Sequence, residues 1–424
     1  MRNRALSVDR NESRSGRLKI LVVSNLYPPH TIGGYEIGCR DVVEALRARG
    51  HDVRVLTSCY GVDGPQSDGD VMRWLWASIP SRRLRWTEIY SGLIAKERDN
   101  QRAFDRACLQ HRPDLVYFWN LGLTSCAPLY RVERLGIPSC AYVSDYWPIR
   151  REMDRWYNRT RPLRRLPGAS LLLAPLARCS LLVPPKLDEI RNAQFTSDFV
   201  RREIEAGGVR LPGASVIHWG IDTDAFPAGE PAQAPRRLLY VGQVLAHKGV
   251  HTAIEAMRIL AESAPDGCPT LTIVGGSLSP DYVAELKSKA AEWGLESRVE
   301  FRGPVARREL PGVYSSHDVL IFPSVWPEPF SITLLEAMSS GLAVVATPAG
   351  GNSEILDDCR NALMFPAEDA AQCADRIGRL LADPALYRRL CLAAAETVRE
   401  RFRLTGMVDA IEERLLRAAG TDVS

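Results

Sequence analysis

The pattern that most constrains this chain is an alternation of short apolar segments with amphipathic ones, and it occurs twice. In the first half, apolar runs such as RLKILVV at 17–23 and PDLVYFWN at 113–120 alternate with segments of helical periodicity. In the second half, RRLLYVGQ at 236–243 and TLTIVGG at 270–276 begin the same alternation again. Strands that alternate with helices build parallel, doubly wound sheets. The sequence therefore predicts an α/β protein with two Rossmann-like domains in tandem.

A proline-rich stretch separates the two halves. Residues 226–236, FPAGEPAQAPR, contain three prolines and few apolar side chains, as linkers do. We therefore expect an N-terminal domain over residues 17–225 and a C-terminal domain over residues 226–402. A helix is predicted at about 403–420, and in this architecture a terminal helix can pack back on the first domain. Residues 1–16 have no apolar stretch after their charges, so we expect a disordered tail rather than a secretory signal.

The net charge of +3 over 424 residues hides two halves of opposite sign. Residues 1–225 carry 34 lysines and arginines against 25 acidic residues, whereas residues 226–424 carry 20 against 26. A basic surface attracts phosphates, anionic lipid head groups or nucleic acid, and composition alone leaves these three open. No stretch approaches the ~20 apolar residues that a membrane-spanning helix requires.

The ten cysteines are scattered along the chain, with no C-x-x-C pair and no histidines at the spacing of zinc ligands. We interpret them as reduced thiols, which are typical of cytosolic proteins. The sequence thus predicts a cytoplasmic protein.

Two glutamates mark the strongest candidate site, in PSVWPEPFSITLLEAMSSG at 323–341. Prolines on both sides of Glu328 predict a rigid loop after a strand, and a helix is predicted to start near Ser331. Free N–H groups at a helix start can hold an anion. Glu336 lies further along this helix, where its carboxylate can accept two hydroxyl hydrogen bonds. Two carboxylates beside such a helix suit a polyhydroxylated phosphate ester, although spacing alone equally allows a loop charge and a surface charge.

Two further elements predict phosphate contacts. Lys248 follows a predicted strand and directly precedes Gly249, so its ammonium group could neutralise a diphosphate; a solvated loop lysine is the alternative. Gly33 and Gly34 lie between the first strand and the first helix, where paired glycines allow a ligand to approach the backbone. The sequence GGYEIG lacks the G-x-G-x-x-G spacing, and no GK[ST] motif occurs. Nicotinamide-dependent enzymes and P-loop NTPases are therefore disfavoured.

Together these motifs resemble the retaining group-1 (family-four) glycosyltransferases of the GT-B fold. The similarity covers about residues 17 to 405 and is most specific in the second half. There the VGQ and KG loop, IVGG, FRG and PEPFSITLLEAMSSGLAVVATPAGGNSEIL follow in the family's order. The resemblance implies two Rossmann-like domains facing each other across a cleft. It also implies transfer of a sugar from a nucleotide-diphosphate sugar to an acceptor hydroxyl.

The resemblance assigns roles to matching residues. Glu336 would bind the ribose hydroxyls of the nucleotide, and Glu328 would contact the donor sugar's hydroxyls near the reacting centre. Lys248 would hold the diphosphate as the leaving group gains charge. The other donor-binding positions that the resemblance implies are Gly33, Gly34, Gln243, Phe330, Ser331 and Ile332.

Two positions depart from the family pattern. Gln243 stands where the family usually has arginine, which removes one cation near the diphosphate but leaves Lys248. Ser144 stands where the family often has the histidine of a His-Asp pair, and Asp145 remains beside it as a candidate catalytic residue. A structural turn or helix cap is an equal alternative for Asp145.

The resemblance also implies a mechanism without a dedicated side-chain base, in which the leaving diphosphate oxygen helps to remove the acceptor proton. The chain has no D-x-D motif of the kind that metal-dependent transferases use to hold Mg²⁺ or Mn²⁺. We therefore expect no cofactor and no metal, with a helix end and Lys248 in place of the ion.

The basic residues of the first half cluster at 147–179, where arginines are interleaved with tryptophan, tyrosine and leucine. The segment SRRLRW at 81–86 has a weaker form of this mixture. Such a composition is typical of segments that adsorb to a membrane surface. It suggests a carbohydrate or lipid-linked acceptor at the inner face of the membrane, in polysaccharide or glycolipid biosynthesis. Surface helices that cover a groove are an equal alternative.

Other functions compete with transfer. A nucleotide-sugar epimerase shares the two-domain fold, but is not expected to carry the glutamate pair together with the lysine loop. A catalytically inactive sugar-binding protein is supported only by Ser144 and Gln243. A nucleic-acid binder is disfavoured because no recognition module accompanies the basic cluster.

Overall fold

The computed structural model describes residues 16–77, 86–124, 126–149, 187 and 189–421. The predicted tail at 1–16 lies outside the described residues except for Gly16, and so does the basic cluster from residue 150 onward. In SRRLRW, residues 81–85 lie outside them as well.

The chain forms two compact units. The first contains the described residues up to 141 and those from 412, and the second contains the described residues between them. Residues 189–225, which the sequence pattern assigns to the N-terminal domain, are grouped with the second unit, although the strands Ala193–Phe195 and Ser215–Val216 within them belong to the first sheet. The physical reason is local: the first turn of the helix at Asp198–Ala206 donates two backbone hydrogen bonds to the carboxylate of Glu354.

The first sheet has eight strands in the order β3-β4-β2-β1-β5-β6-β7-β8. Strand β1 pairs in parallel with β2 and β5, as the predicted βαβ pattern requires, and β3 with β4 forms an antiparallel hairpin. The strands are β1 Lys19–Val23, β2 Asp52–Ser58, β3 Gln66–Asp68, β4 Val71–Leu75, β5 Leu115–Phe118, β6 Ser139–Val143, β7 Ala193–Phe195 and β8 Ser215–Val216.

Among the residues that the structure describes before Arg237, four segments are α-helical. Val42, Val43 and Leu46 form a buried stripe on the first of them, as helical periodicity predicts. No sequence pattern singled out the second, a 26-residue helix, because frequent charges dilute its apolar stripe. The helices are α1 Tyr35–Ala48, α2 Trp86–His111, α3 Ala127–Leu135 and α4 Asp198–Ala206.

The second sheet has six strands, and every pairing in it is parallel. Its order is β11-β10-β9-β12-β13-β14, so the strand order reverses between β9 and β12. In doubly wound sheets, ligands bind in the crevice beyond the carboxyl ends of the strands at this reversal. The strands are β9 Arg237–Val241, β10 Thr270–Val274, β11 Val299–Gly303, β12 Val319–Phe322, β13 Ala343–Ala346 and β14 Leu363–Met364.

Seven helices follow β9 along the chain. The predicted break near Arg403 falls between the last two, where Ile221 exchanges backbone hydrogen bonds with Phe402 and Leu404. Among the described residues, no helix has an apolar stretch long enough to cross a membrane. The helices are α5 Val250–Ser263, α6 Pro280–Glu292, α7 Leu310–Ser315, α8 Ile332–Ser339, α9 Ala370–Ala382, α10 Pro384–Arg401 and α11 Leu404–Ala419.

Candidate active site

Two loops meet at the point where the second sheet reverses its order. The lysine loop, residues 242–249, follows β9, and the glutamate loop, residues 323–331, follows the neighbouring strand β12. The carbonyl oxygen of His247 accepts hydrogen bonds from the N–H groups of Val325 and Trp326, at 3.0 and 3.1 Å. Gly249 has a φ of +72°, and a Cβ there would lie 1.9 Å from the carbonyl oxygen of Pro323. Only glycine allows the two loops to approach this closely.

An ion pair between a buried glutamate and a half-buried lysine joins the two loops. The ammonium group of Lys248 lies 2.7 Å from Oε1 of Glu328, and the hydroxyl of Ser324 donates to the same oxygen at 2.6 Å. Glu328 is only 7% exposed. Its Oε2 has no hydrogen-bond partner among the described residues. One carboxylate oxygen is therefore fixed by two donors, while the other can accept a hydrogen bond from a ligand.

Glu336 is buried in the second turn of α8, the helix that follows the glutamate loop. Its Oε1 lies 2.7 Å from Nη1 of Arg307, and its Oε2 accepts a hydrogen bond from the Tyr314 hydroxyl at 2.9 Å. Burial, together with the Glu336 carboxylate, raises the pKa of Tyr314, so its hydroxyl stays protonated and donates. At 2% exposure, Glu336 is not a surface helix charge.

The start of α8 offers fewer backbone donors than the sequence predicts. Ser331 caps the helix, because its hydroxyl oxygen accepts the N–H of Leu334. The N–H of Ser331 itself donates to Oδ1 of Asn352 at 3.0 Å and is therefore already used. The N–H groups of Phe330 and Ile332 have no acceptor among the described residues.

Distant residues hold the backbone of the glutamate loop. Each of three consecutive carbonyl oxygens accepts one hydrogen bond. The donors are the Tyr146 hydroxyl to Pro327 at 2.6 Å, the Gly351 N–H to Glu328 at 2.7 Å and the Ser197 hydroxyl to Pro329 at 2.7 Å. Sequence reasoning gave no role to Tyr146, Ser197 or Asn352. Asn352 lies within the recognised motif, but no local pattern shows that its side chain, or those of Tyr146 and Ser197, bond the backbone of this loop.

Asp145 directly precedes Tyr146, which brings it next to the glutamate loop. Its Oδ1 accepts the N–H of Trp147 at 2.8 Å, so the carboxylate also closes a turn. The ring of Tyr146 meets that of Trp326 edge to face, at 6.1 Å between centroids. Asp145 therefore closes a turn, which was the alternative to a catalytic role. It directly precedes Tyr146, whose hydroxyl bonds the glutamate loop.

Gln243 lies at the start of the lysine loop. Its carbonyl oxygen accepts a hydrogen bond from the buried Tyr240 hydroxyl at 2.8 Å. The adjacent Gly242 packs against Gly275, where a Cβ would lie 1.7 Å from the Gly242 carbonyl oxygen. The close packing of Gly242 against Gly275 therefore fixes the backbone next to Gln243.

Gly33 and Gly34 lie in the first unit, in a loop that we call the glycine loop, residues 32–36. The buried carboxylate of Glu36 accepts the N–H groups of Ile32 and Gly33, at 2.9 and 3.0 Å. Burial raises the pKa of Glu36, and these hydrogen bonds only partly offset the effect. Gly34 caps α1 in an exposed position. The N–H of Gly33 is thus used within its own loop, and the surface beside both glycines is open.

Two protein-family models match the chain. The model described as "Glycosyl transferases group 1" matches residues 222–397, and the model described as "Glycosyl transferase 4-like domain" matches residues 33–220. Together they cover most of the chain, and the match to the first contains both loops of the candidate site.

Similar proteins carry different names. A D-inositol 3-phosphate glycosyltransferase of Arthrobacter sp. (strain FB24) is 27% identical over 86% of this chain and 85% of its own length. A glycogen synthase of Mycobacterium tuberculosis is also 27% identical, over 91% of both chains. The structure of a sucrose-phosphate synthase from Thermosynechococcus elongatus superposes with a TM-score of 0.71 and 19% identity, covering 95% of this chain and 99% of that chain.

Proposed function

This chain belongs to the group 1 glycosyltransferases of the GT-B class, and from that premise we propose that it transfers a sugar from a nucleotide-diphosphate sugar to an acceptor hydroxyl, with retention at the anomeric carbon. The observation that carries this proposal is the ion pair of Glu328 and Lys248. One oxygen of Glu328 is held by two donors and the other is open to a sugar hydroxyl. A group of this kind binds a polyol in a fixed orientation at little entropic cost.

Lys248 and the start of α8 would stabilise the leaving group. The ammonium group has three N–H donors, and the bond to Glu328 uses one of them. The remaining donors, with the N–H groups of Phe330 and Ile332, would neutralise charge as it develops on the diphosphate. In this step the bond between the anomeric carbon and the phosphate oxygen breaks. The acceptor oxygen bonds to the anomeric carbon, and its proton passes to the departing diphosphate oxygen.

Glu336 would bind the ribose of the nucleotide. Arg307 and Tyr314 each bond one of its oxygens, which fixes the carboxylate plane. An ionised carboxylate accepts hydrogen bonds only, so a carboxylate held in this fixed plane suits the hydroxyl donors of a ribose. The variant Glu336→Gln should raise the KM for the donor about 10-fold or more and lower kcat less, because the ribose lies away from the reacting bond. An unchanged donor KM would contradict the ribose role.

The transfer reaction can be tested with a panel of UDP-, GDP- and ADP-sugars, followed by thermal shift and mass spectrometry. One donor should stabilise the protein and be consumed, and the product should keep the donor's anomeric configuration by NMR. Chelation with EDTA should leave the rate unchanged, since we propose no metal. The variant Glu328→Gln should lower kcat/KM about 100- to 1000-fold. Glu296→Gln, which changes an exposed carboxylate, is the matched control.

Three outcomes would contradict parts of the proposal. Neither binding nor turnover of any donor would contradict glycosyl transfer and leave a sugar-binding protein as the better description. A product of inverted configuration would contradict retention. Full activity of Glu328→Gln would contradict the role of the ion pair.

For the acceptor, we propose a lipid-linked or membrane-proximal carbohydrate on the cytoplasmic leaflet. This part of the proposal is supported by sequence composition, since residues 147–179 combine arginines with tryptophan and leucine. Wild-type protein should float with vesicles that contain anionic phospholipid, and the triple variant Arg150→Ala, Arg151→Ala, Arg155→Ala should float less. Equal flotation of both proteins, or none by the wild type, would contradict a membrane-bound acceptor.

A further inference from the structure

We propose that His218 is a positioning residue for the donor site, which holds Phe330 and so directs the backbone N–H groups at the start of α8. This inference rests on the proposed function, since it deepens the role of the glutamate loop. His218 lies in VIHWGID, a segment in which no motif of the sequence indicated a functional residue. Its side chain is about one-third exposed.

Three aromatic rings form a compact cluster at this place. The ring of His218 stacks on that of Phe330, with centroids 5.3 Å apart and an interplanar angle of 21°. Phe402 meets both of them edge to face, at 5.7 Å from His218 and 5.6 Å from Phe330. Phe330 is 8% exposed and Phe402 is 1% exposed. The side chain of Phe330 therefore has one packed position, and His218 covers one face of it.

A hydrogen bond fixes the plane of the His218 ring. Its Nε2 lies 2.8 Å from Oε2 of Glu354. An ionised carboxylate only accepts, so Nε2 carries the proton. Burial alone would raise the pKa of Glu354, but the bonds from His218 and from two backbone N–H groups lower it below its ordinary value. The carboxylate therefore stays ionised at neutral pH and keeps His218 in the orientation that stacks on Phe330.

Glu354 is itself held in place by other elements. Its two oxygens accept the N–H groups of Asp198 and Phe199, at 3.0 and 2.8 Å, in the first turn of α4. It ends a short 3-10 helix, Gly350–Glu354, that also bonds the glutamate loop through Gly351 and Asn352. His218 adds a side-chain contact to these two backbone contacts. One short helix thus holds three residues of the loop: Glu328 by its carbonyl oxygen, Phe330 by its ring through His218, and Ser331 by its N–H. Pro329, which lies between them, is held separately by Ser197.

Loss of this contact should leave the fold intact but loosen the loop. Without the stacked ring, Phe330 can change rotamer, and its N–H and that of Ile332 would no longer point in one direction. Preorganised hydrogen-bond donors stabilise the transition state because they already point towards the developing charge. Loss of this order should therefore lower kcat and leave the donor KM nearly unchanged.

Three variants separate the two contacts of His218. His218→Phe keeps a ring against Phe330 but loses the hydrogen bond, His218→Gln keeps a donor but loses the ring, and His218→Ala loses both. Hydrogen exchange of the amides at 326–335, measured without any ligand, should rise about 10-fold or more in the alanine variant and less in the other two. His317→Ala is the control, since that ring bonds the Val313 carbonyl oxygen instead. Unchanged exchange in His218→Ala would overturn the inference.

The second measurement uses the donor that the wild-type enzyme turns over in the nucleotide-sugar panel. His218→Ala should lower kcat about 10-fold with less than a 2-fold change in donor KM, and His218→Phe should recover part of kcat. Faster exchange with an unchanged kcat would overturn the positioning role. Absence of turnover by the wild-type protein would instead contradict the proposed function, while the exchange experiment, which needs no donor, would still show whether His218 holds the loop.

Discussion

The glycine loop and the glutamate loop both lead from a parallel strand into a helix, yet they are held in different ways. In the glycine loop, Glu36 reaches back three and four residues to bond the N–H groups of Gly33 and Ile32. In the glutamate loop, the carbonyl oxygens of Pro327 and Pro329 are bonded by residues 181 and 132 positions away in sequence. The first loop is organised by its own sequence, whereas the second depends on the tertiary structure.

The carboxylates that serve the two loops also differ. Glu36 and Glu354 each accept two backbone N–H groups, but the pKa of Glu36 is raised and that of Glu354 is lowered. The difference arises because burial at Glu36 outweighs all of its hydrogen-bond donors, including the Tyr35 side chain, whereas Glu354 is less buried and its bonds from His218 and two backbone N–H groups outweigh burial. The balance between burial and hydrogen bonding therefore sets the sign of each pKa shift.

The largest difference between the two loops should be the loss of stability when a glycine in or beside each loop is replaced by alanine. A Cβ at Gly351 would lie 2.0 Å from the Pro329 carbonyl oxygen, so Gly351→Ala must displace the glutamate loop. We expect a loss of about 3 kcal/mol in the free energy of unfolding, measured with urea. Gly33→Ala is the matched variant, because the nearest atom is 3.6 Å away, and it should cost less than about 0.5 kcal/mol. Similar losses in both variants would contradict the contrast.

A smaller effect should follow from removing one distant donor. Ser197→Ala deletes the bond to the Pro329 carbonyl oxygen and the cap of α4, where the hydroxyl accepts the N–H of Val200. We expect a loss of about 1 to 2 kcal/mol by urea unfolding.

Asp369→Ala provides the control for this variant. It removes the cap of α9 together with an exposed hydrogen bond from the Gln372 side chain, makes no contact with the glutamate loop, and should cost about 1 kcal/mol. Hydrogen exchange in the glutamate loop should rise in Ser197→Ala and stay unchanged in Asp369→Ala. Equal exchange in the two variants would show that Ser197 acts as a cap alone.

The smallest effect should be a difference in pH dependence. A raised folded pKa means that the folded state binds the proton more tightly, so stability due to Glu36 falls as the pH rises from about 4.5 through the raised value. For Glu354, whose folded pKa is lowered, the sign is opposite, and stability is lost as the pH falls below about 4.5.

The free energy of unfolding of the wild type can be compared with that of Glu36→Gln and of Glu354→Gln at several pH values. A range of roughly pH 3.5 to 7 includes the ordinary pKa of a glutamate carboxyl group. Between the two ends of this range, the wild-type advantage should shrink with rising pH for Glu36 and grow for Glu354. The same sign for both variants would contradict the difference between the two carboxylates.

Much of the fold follows from local pattern. Helical periodicity predicts the buried stripe of α1, and short continuous apolar runs predict the strands that lead into both loops, because these strands are buried along nearly their whole length. The same reasoning does not find α2, whose charges obscure its apolar stripe. It also does not find that Ser197 bonds Pro329 or that Asp198 bonds Glu354, since these contacts join residues more than 100 positions apart.

The sequence also predicts only part of the candidate site. The motif around residues 323–341 is enough to single out Glu328 and Glu336, and the spacing of Lys248 and Gly249 is enough to suggest a cation beside them. It is not enough to show that the N–H of Ser331 is already bonded to Asn352, or that Lys248 pairs with Glu328.

The sequence by itself determined the alternation of strands and helices, the family and the residue types at the loops, because each of these depends on neighbours along the chain. The tertiary structure decided which donors and acceptors remain open to a ligand. A hydrogen-bonding group is either used or available according to the residues that fold against it, and for the glutamate loop those residues, Tyr146, Ser197 and His218, come from distant parts of the sequence.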